Sequence, residues 1–380
     1  MTPSQRLLAF LREQQAALAS LLTQLVEQES PTDDKPSLDR LAAFLAGQAR
    51  GLGAQVEILP QSAAGDFVRA RWNADADDRG ILLLCHMDTV WDLGTLAQQP
   101  VRIADGKLYG PGAFDMKGGI VVALGAIRAL SDLGLMPSRR ITLLITSDEE
   151  EGSEASRALI EAEALAHEAA FVLEPAHPPR GSLKTWRKGV GMYTVTVTGR
   201  SAHAGAAHDQ GINAIAELAR HILAFEALTD YAAGTTVNVG VIGGGTRSNV
   251  VPERAWAEVD VRVMNAEEAA RIDAAFRGAK PHLPGATIEV AGGLNRPPMV
   301  RSAPIMALYA RAEAIAAELG IPISETGTGG ASDGNFTAAL GVPTLDGLGV
   351  TGDGGHALHE HVVLSSLPER AALLAGLLRA

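Results

Sequence analysis

Apolar positions in the first fifty residues recur three and four apart. Leu7, Leu8, Phe10 and Leu11, then Leu18, Leu21, Leu22 and Leu25, form stripes interrupted by Gln and Glu, and they predict amphipathic helices. Pro31 ends the second stripe, and a third runs over residues 38–52 to Gly51 and Gly53. The period then changes, and residues 56–59, 67–72 and 81–85 read as strands. Ile81-Leu82-Leu83-Leu84 is a continuous apolar run, as expected of a central strand covered on both faces. A helix rich in small residues follows over 118–133, then buried strands at 141–146 and 170–173. Strands alternating with helices predict an α/β domain built on a mixed sheet with helices on both faces.

The pattern shifts near Thr185. Residues 192–197 alternate at period two, a helix pattern covers 213–228, and strands follow at 235–241 and 255–263. A helix over 266–278 and a strand over 286–291 complete the series. That order, strand–helix–strand–strand–helix–strand, predicts an antiparallel α+β sandwich of ferredoxin-like type. After Pro297 and Pro298 come a helix over 305–319, Gly-rich loops, a strand-like 343–348 and a closing helix over 364–378. The expected organisation is one α/β domain built from residues 1–186 plus 297–380, with a smaller domain inserted at 187–296. Internal repeats and low-complexity tracts are absent from the sequence.

Composition narrows the function classes. At about 150 residues per domain, 380 residues make roughly two domains. With 47% apolar and 20% charged residues, packed cores are expected and global disorder is excluded. Lys+Arg 32 against Asp+Glu 44 gives −12, a sign that disfavours nucleic acid or an anionic membrane as partner. Aromatics at 4% argue against stacking platforms for single strands. The single cysteine, Cys85, rules out an internal disulfide and a Cys-rich zinc module. Alternation along its strand points Cys85 away from its neighbour His86, into the core. There is no basic–apolar leader pattern and no run near the ~20 apolar residues of a membrane span, so a cytoplasmic protein is expected.

Chemistry gathers at predicted strand ends, where open α/β sheets hold ligands. His86-Met87-Asp88 places an imidazole and a carboxylate on one face, the arrangement by which an acid orients a metal-binding histidine; a structural pair reads the same way. Asp115 lies in Gly110-Pro111-Gly112-Ala113-Phe114-Asp115-Met116-Lys117-Gly118-Gly119, before a helix it could simply cap. Asp148, Glu149, Glu150 and Glu151 follow a buried strand and repel one another unless a cation or solvent intervenes. Glu174 sits in Leu173-Glu174-Pro175, and His356, His359 and His361 crowd one loop. Together these offer His, Asp, Glu, Glu and His. Oxygen and nitrogen donors with open positions suit catalytic zinc, and two divalent ions would balance Asp115, Glu150 and Glu174 with a hydroxide.

HMDTV, GPGAFDMKGG, SDEEEGS, LEP, GRSAHAG and GGASDGNFTAALGVPTLDGLG, in that order, resemble the M20 family of di-zinc peptidases and deacylases. The likeness spans nearly the whole chain and is greatest to the glutamate carboxypeptidase (carboxypeptidase G2-like) branch. It implies a zinc-exopeptidase-like catalytic domain with an inserted lid and dimerisation domain, and two Zn2+, with Co2+ or Mn2+ as other options. By resemblance, His86 and Glu174 hold one ion, Glu150 the other, and Asp115 bridges them. Asp88 orients His86, Glu149 is the general base, and the peptide after Asp115 is commonly cis. The C-terminal ligand falls in a G-x-H-x-x-x-E pattern matched by His356 and Glu360, with His359 and His361 as fallbacks. His203 resembles the histidine that reaches a partner subunit's active site and stabilises an oxyanion. Asn249, Arg262 and Arg296 resemble residues around a substrate α-carboxylate. Arg262 lies in Asp260-Val261-Arg262 and reads equally as one half of a strand salt bridge.

The implied activity is amide hydrolysis that releases a C-terminal amino acid, foremost glutamate, from N-acyl, folate-type or short peptide substrates, in a homodimer joined by the inserted domain. The alternative is a deacylase of the acetylornithine or succinyl-diaminopimelate type. Those enzymes commonly carry Arg where Asn335 stands. A non-catalytic, metal-stabilised scaffold is disfavoured because Glu149 is retained beside every ligand.

Overall fold

The computed structural model describes residues 1–76, 79–179 and 181–380. The chain divides into two compact units, one comprising Met1–Trp186, Arg301–Gly327 and Ser332–Ala380, the other Arg187–Val300 and Thr328–Ala331.

In the larger unit a six-stranded sheet runs in the order Gln55–Leu59, Phe67–Trp72, Ile141–Thr146, Ile81–His86, Ala169–Val172, Thr344–Leu345. Ile81–His86 is parallel to both neighbours, whereas Phe67–Trp72 is antiparallel to Ile141–Thr146. The sheet is therefore mixed. The apolar runs that lacked alternation are buried at every position of Ile81–His86 and Ile141–Thr146. Successive side chains still part to opposite faces. Leu83 and Cys85 enter a core with Leu11, Leu124 and Leu374, while Leu82 and Leu84 join Ile160 and Phe336 on the other face.

The helix Gly118–Asp132 approaches the sheet closely because it begins with two glycines. A Cβ on Gly119 would lie 2.0 Å from the Leu173 carbonyl oxygen, at the strand end that carries Glu174. Elements without a clear sequence period also appear. Arg102–Ala104 and Lys107–Tyr109 form a hairpin extended by His361–Val363 and Gly352–Asp353 into a four-stranded sheet. The helix Arg157–Leu165 and the pair Leu183–Arg187 with Glu325–Thr328 are likewise additional.

The smaller unit has a four-stranded antiparallel sheet in the order Thr236–Gly244, Arg254–Val263, Gly189–Thr198, Thr287–Arg296. With the helices Ala214–Glu226 and Ala266–Arg277 this is the ferredoxin-like order. Its core centres on stacked rings, Phe225 to Phe276 at 4.1 Å and Tyr193 to Phe276 at 4.4 Å. Residues 297–300 stay with this unit, since Met299 exchanges two backbone hydrogen bonds with Arg187. No described helix is long and apolar enough to cross a membrane.

The glycine contact predicts a position-specific effect. Gly119→Ala must displace main chain and should destabilise the fold by the ~1–3 kcal/mol of an overpacked core, read as a lower melting temperature. Gly47→Ala, in the helix Lys35–Gly51 with nothing within 4 Å of the added carbon, should leave stability unchanged or slightly raised in the same thermal scan.

Candidate metal centre

Parallel strands bring their carboxyl ends to one rim. His86 is the last residue of its strand and pairs with Thr146; Glu149 and Glu150 follow a short turn later. Val172 pairs with Leu84 on the other side, and Glu174 lies two residues beyond. The irregular segment Ala113–Lys117 supplies Asp115, whose peptide bond to Met116 is cis.

Asp115 stands between two sets of donors. His86 Nε2 lies 3.4 Å from Asp115 Oδ1 and 3.4 Å from Glu174 Oε1. His356 Nε2 lies 3.5 Å from Asp115 Oδ2 and 3.3 Å from Glu150 Oε2. Metal bonds of about 2.0–2.1 Å at tetrahedral angles set neighbouring donors ~3.3 Å apart. Each carboxylate oxygen of Asp115 thus faces one imidazole at ligand spacing, and each of those imidazoles also faces a glutamate. His86 Nε2, Asp115 Oδ1 and Glu150 Oε1 are buried without a hydrogen-bond partner among the described residues, as donors turned toward a cation would be.

The tautomer of His86 follows from its other nitrogen. Nδ1 lies 3.1 Å from the Asp88 carbonyl oxygen, which can only accept, so Nδ1 carries the hydrogen and Nε2 offers its lone pair. The sequence pointed to the Asp88 carboxylate for this task; its Oδ1 stands further off, at 3.4 Å. Oδ2 accepts from the Glu150 backbone N–H at 3.1 Å and from Thr32 Oγ1 at 2.9 Å. Asp88 therefore fixes His86 and Glu150 together.

Charge is crowded here. Burial pushes the Glu150 carboxyl above its usual range, and Asp115 adds to the shift. Burial also opposes charge on His86, yet Asp115, Asp88 and Glu174 outweigh it and hold the imidazole well above its ordinary value. Glu150, beside His356, raises that imidazole to about 9. Oxygen and nitrogen donors crowded at this spacing fit divalent cations. Glu149 lines the same recess as His86, Glu174 and Asp333.

The three histidines of the C-terminal loop separate. His356, held at φ 62°, turns toward Asp115 and Glu150. His361 gives Nδ1 to the His359 carbonyl and its ring to Tyr109. His359 is exposed.

Glu360 is the residue that sequence reasoning left without a task. It is 2% exposed and accepts four hydrogen bonds. Trp91 Nε1 (2.9 Å) and the Gly112 N–H (2.8 Å) reach Oε2; the N–H groups of Phe114 (2.8 Å) and Asp115 (3.0 Å) reach Oε1. It holds the loop that aims Asp115. Only the fixed spacing between His356 and Glu360 hinted at this.

In the smaller unit, His203 is exposed and its Nδ1 accepts from the backbone N–H groups of Gly205 (3.1 Å) and Ala206 (3.0 Å). The ring proton therefore sits on Nε2, free to donate. Asn249 is exposed on a turn. Arg262 is held by Asp260 through Nε and Nη2, both at 2.8 Å, leaving Nη1 to the Gly329 carbonyl at 3.4 Å. Arg296 is buried beside Asn295.

A metal-binding cluster of oxygen and nitrogen donors on the rim of an open α/β sheet defines a metal-dependent hydrolase. A model of peptidase family M20/M25/M40 matches residues 82–380, and the chain belongs to this family of metallopeptidases and amidohydrolases. It is 32% identical over 376 residues to carboxypeptidase G2 of Pseudomonas sp. (strain RS-16), across 96% of this chain and 89% of that one. Succinyl-diaminopimelate desuccinylase of Rhodospirillum centenum is 28% identical over 361 residues, with 90% of each chain covered. Among solved structures, the aminopeptidase PepT of Bacillus cereus superposes with a TM-score of 0.77 at 25% identity, covering 96% of this chain and 98% of that one.

Glu360→Gln turns an amide N–H2 toward backbone donors and should loosen Asp115. Metal affinity, measured by competition with a chelator, should fall about 10–100-fold, the usual effect of losing a residue that orients ligands. Unchanged affinity would show that the loop keeps its shape without this carboxylate.

Proposed function

We propose that the chain is a di-zinc carboxypeptidase that cleaves an amide bond to release a C-terminal amino acid, foremost glutamate, from N-acyl, folate-type or short peptide substrates. The observation that carries this reading is Asp115, with one oxygen at His86 and the other at His356, imidazoles that in turn face Glu174 and Glu150. His86 and Glu174 would hold one ion, Glu150 and His356 the other, and Asp115 both; Co2+ or Mn2+ could replace Zn2+ at such donors. When bound, the ions supply Lewis acidity at the scissile carbonyl and acidify water.

The protein groups divide the remaining work. Glu149 takes the proton of the attacking water and returns it to the leaving nitrogen. Its neighbour Glu150 is tied by its backbone to Asp88 and faces His356, so the adjacent acids serve different tasks. His203, with its proton on Nε2, donates to the oxyanion from a partner subunit of a homodimer joined through the smaller unit. Asn249, Arg262 and Arg296 receive the substrate α-carboxylate; Arg262 does so as its grip on Asp260 is shared. We place this activity in the cytoplasm. The glutamate preference rests on the motif likeness to the glutamate carboxypeptidase branch, supported by the similarity to carboxypeptidase G2.

Deacylation of an N-acyl amino acid is the second reading, favoured by the similarity to succinyl-diaminopimelate desuccinylase. Against it, Asn335 is fully buried and its Oδ1 accepts from the Ser332 N–H, so this side chain shapes its own loop.

Glu149→Gln should retain both metal ions and lose about 10²–10⁴ in kcat, the usual contribution of a general base. Retention of more than a tenth of the activity would overturn the assignment. On the zinc-loaded protein, N-acyl and folate-type glutamates should be turned over faster than N-succinyl or N-acetyl diamino acids; the reverse order would establish the deacylase.

A further inference from the structure

We infer that the smaller unit carries a transition-metal site of its own, formed by Glu217, His221 and His282, which takes a divalent ion of the zinc type. Glu217 and His221 are four apart on the helix Ala214–Glu226 and share its buried face, at 0% and 3% exposure. His282 arrives from the loop between the helix Ala266–Arg277 and the strand Thr287–Arg296, and is exposed. The two imidazole centroids are 4.9 Å apart, and one donor atom from each of the three residues lies within 4.8 Å of the others.

A structural clamp accounts for part of this cluster. Glu217 Oε1 accepts from His221 Nε2 at 2.9 Å and from the His282 N–H at 2.6 Å, and Oε2 accepts from the Leu283 N–H at 2.8 Å. Those contacts fix the loop to the helix through main-chain N–H groups, and any residue but proline at position 282 would leave them intact. They give no reason for an imidazole at 282, turned beside a second, buried imidazole. A cation supplies the reason. It would replace the proton that His221 Nε2 shares with Glu217, and opening that pair from 2.9 Å to the ~3.3 Å of co-ligands is a small movement. The exposed ring of His282 is free to close on the ion. Two imidazoles and one carboxylate without thiolate favour Zn2+, Co2+, Ni2+ or Cu2+ over Mg2+ or Ca2+, and the solvent side leaves room for water. Bound there, the ion staples helix to loop and stabilises the folded unit by mass action.

The test counts zinc. Chelator-stripped wild-type protein and His282→Ala are each equilibrated with micromolar zinc chloride, passed through a desalting column and assayed for bound metal by mass spectrometry. His282 is exposed and its clamp contacts are main-chain, so the variant folds; circular dichroism checks this. Wild type should hold one equivalent more than His282→Ala, and zinc should raise its melting temperature further than it raises the variant's. Equal counts would overturn the inference, as would an extra equivalent that survives in the variant. Because the readout is a difference between two proteins with identical rims, it stands whether the rim at Asp115 holds two ions, one or none.

Discussion

Carboxylates and imidazoles forced onto one partly buried rim govern this structure. Asp115, Glu150 and Glu174 converge with His86 and His356 at 3.3–3.5 Å, and several of their inward atoms have no hydrogen-bond partner among the described residues. Like charges so placed repel by several kcal/mol in a site partly shielded from water, unless cations separate them. The family's metal dependence and the chain's geometry thus express one constraint: the rim is incomplete as protein alone.

The scaffold is arranged to resist that repulsion. Adjacent parallel strands present His86 and Glu174 from a rigid sheet. Gly119 lets a helix start against the Leu173 carbonyl, and the Gly349 N–H donates to the Glu174 carbonyl at 2.9 Å. Arg370, 2% exposed, then binds the carbonyl oxygens of Gly349 (2.8 Å), Gly181 (3.2 Å) and Gly347. Glu360 does for Asp115 what Arg370 does for the loop beside Glu174.

Much of the fold was legible where period and length were strong. The apolar runs at 81–84 and 141–145 became fully buried central strands, and the alternation at 192–197 became a half-exposed one. The hairpin Arg102–Ala104 with Lys107–Tyr109 was not legible, since three-residue strands carry no period. The site was legible as a list of donors at strand ends, but the local tasks were not. An H-x-D pattern cannot show that a carbonyl, rather than the Asp88 carboxylate, is the nearer acceptor for His86. Nor can it show that Glu360 grips a loop some 245 positions away in sequence. Arg262 and Asp260 were an evident pair at i,i+2 on one strand, and the structure holds them bidentate.

Anomalous diffraction from zinc-loaded crystals tests the central claim most directly. The account predicts two zinc peaks about 3.5–4 Å apart on the rim, one oxygen of Asp115 bound to each. A single rim peak, or two peaks that do not share Asp115, would contradict it.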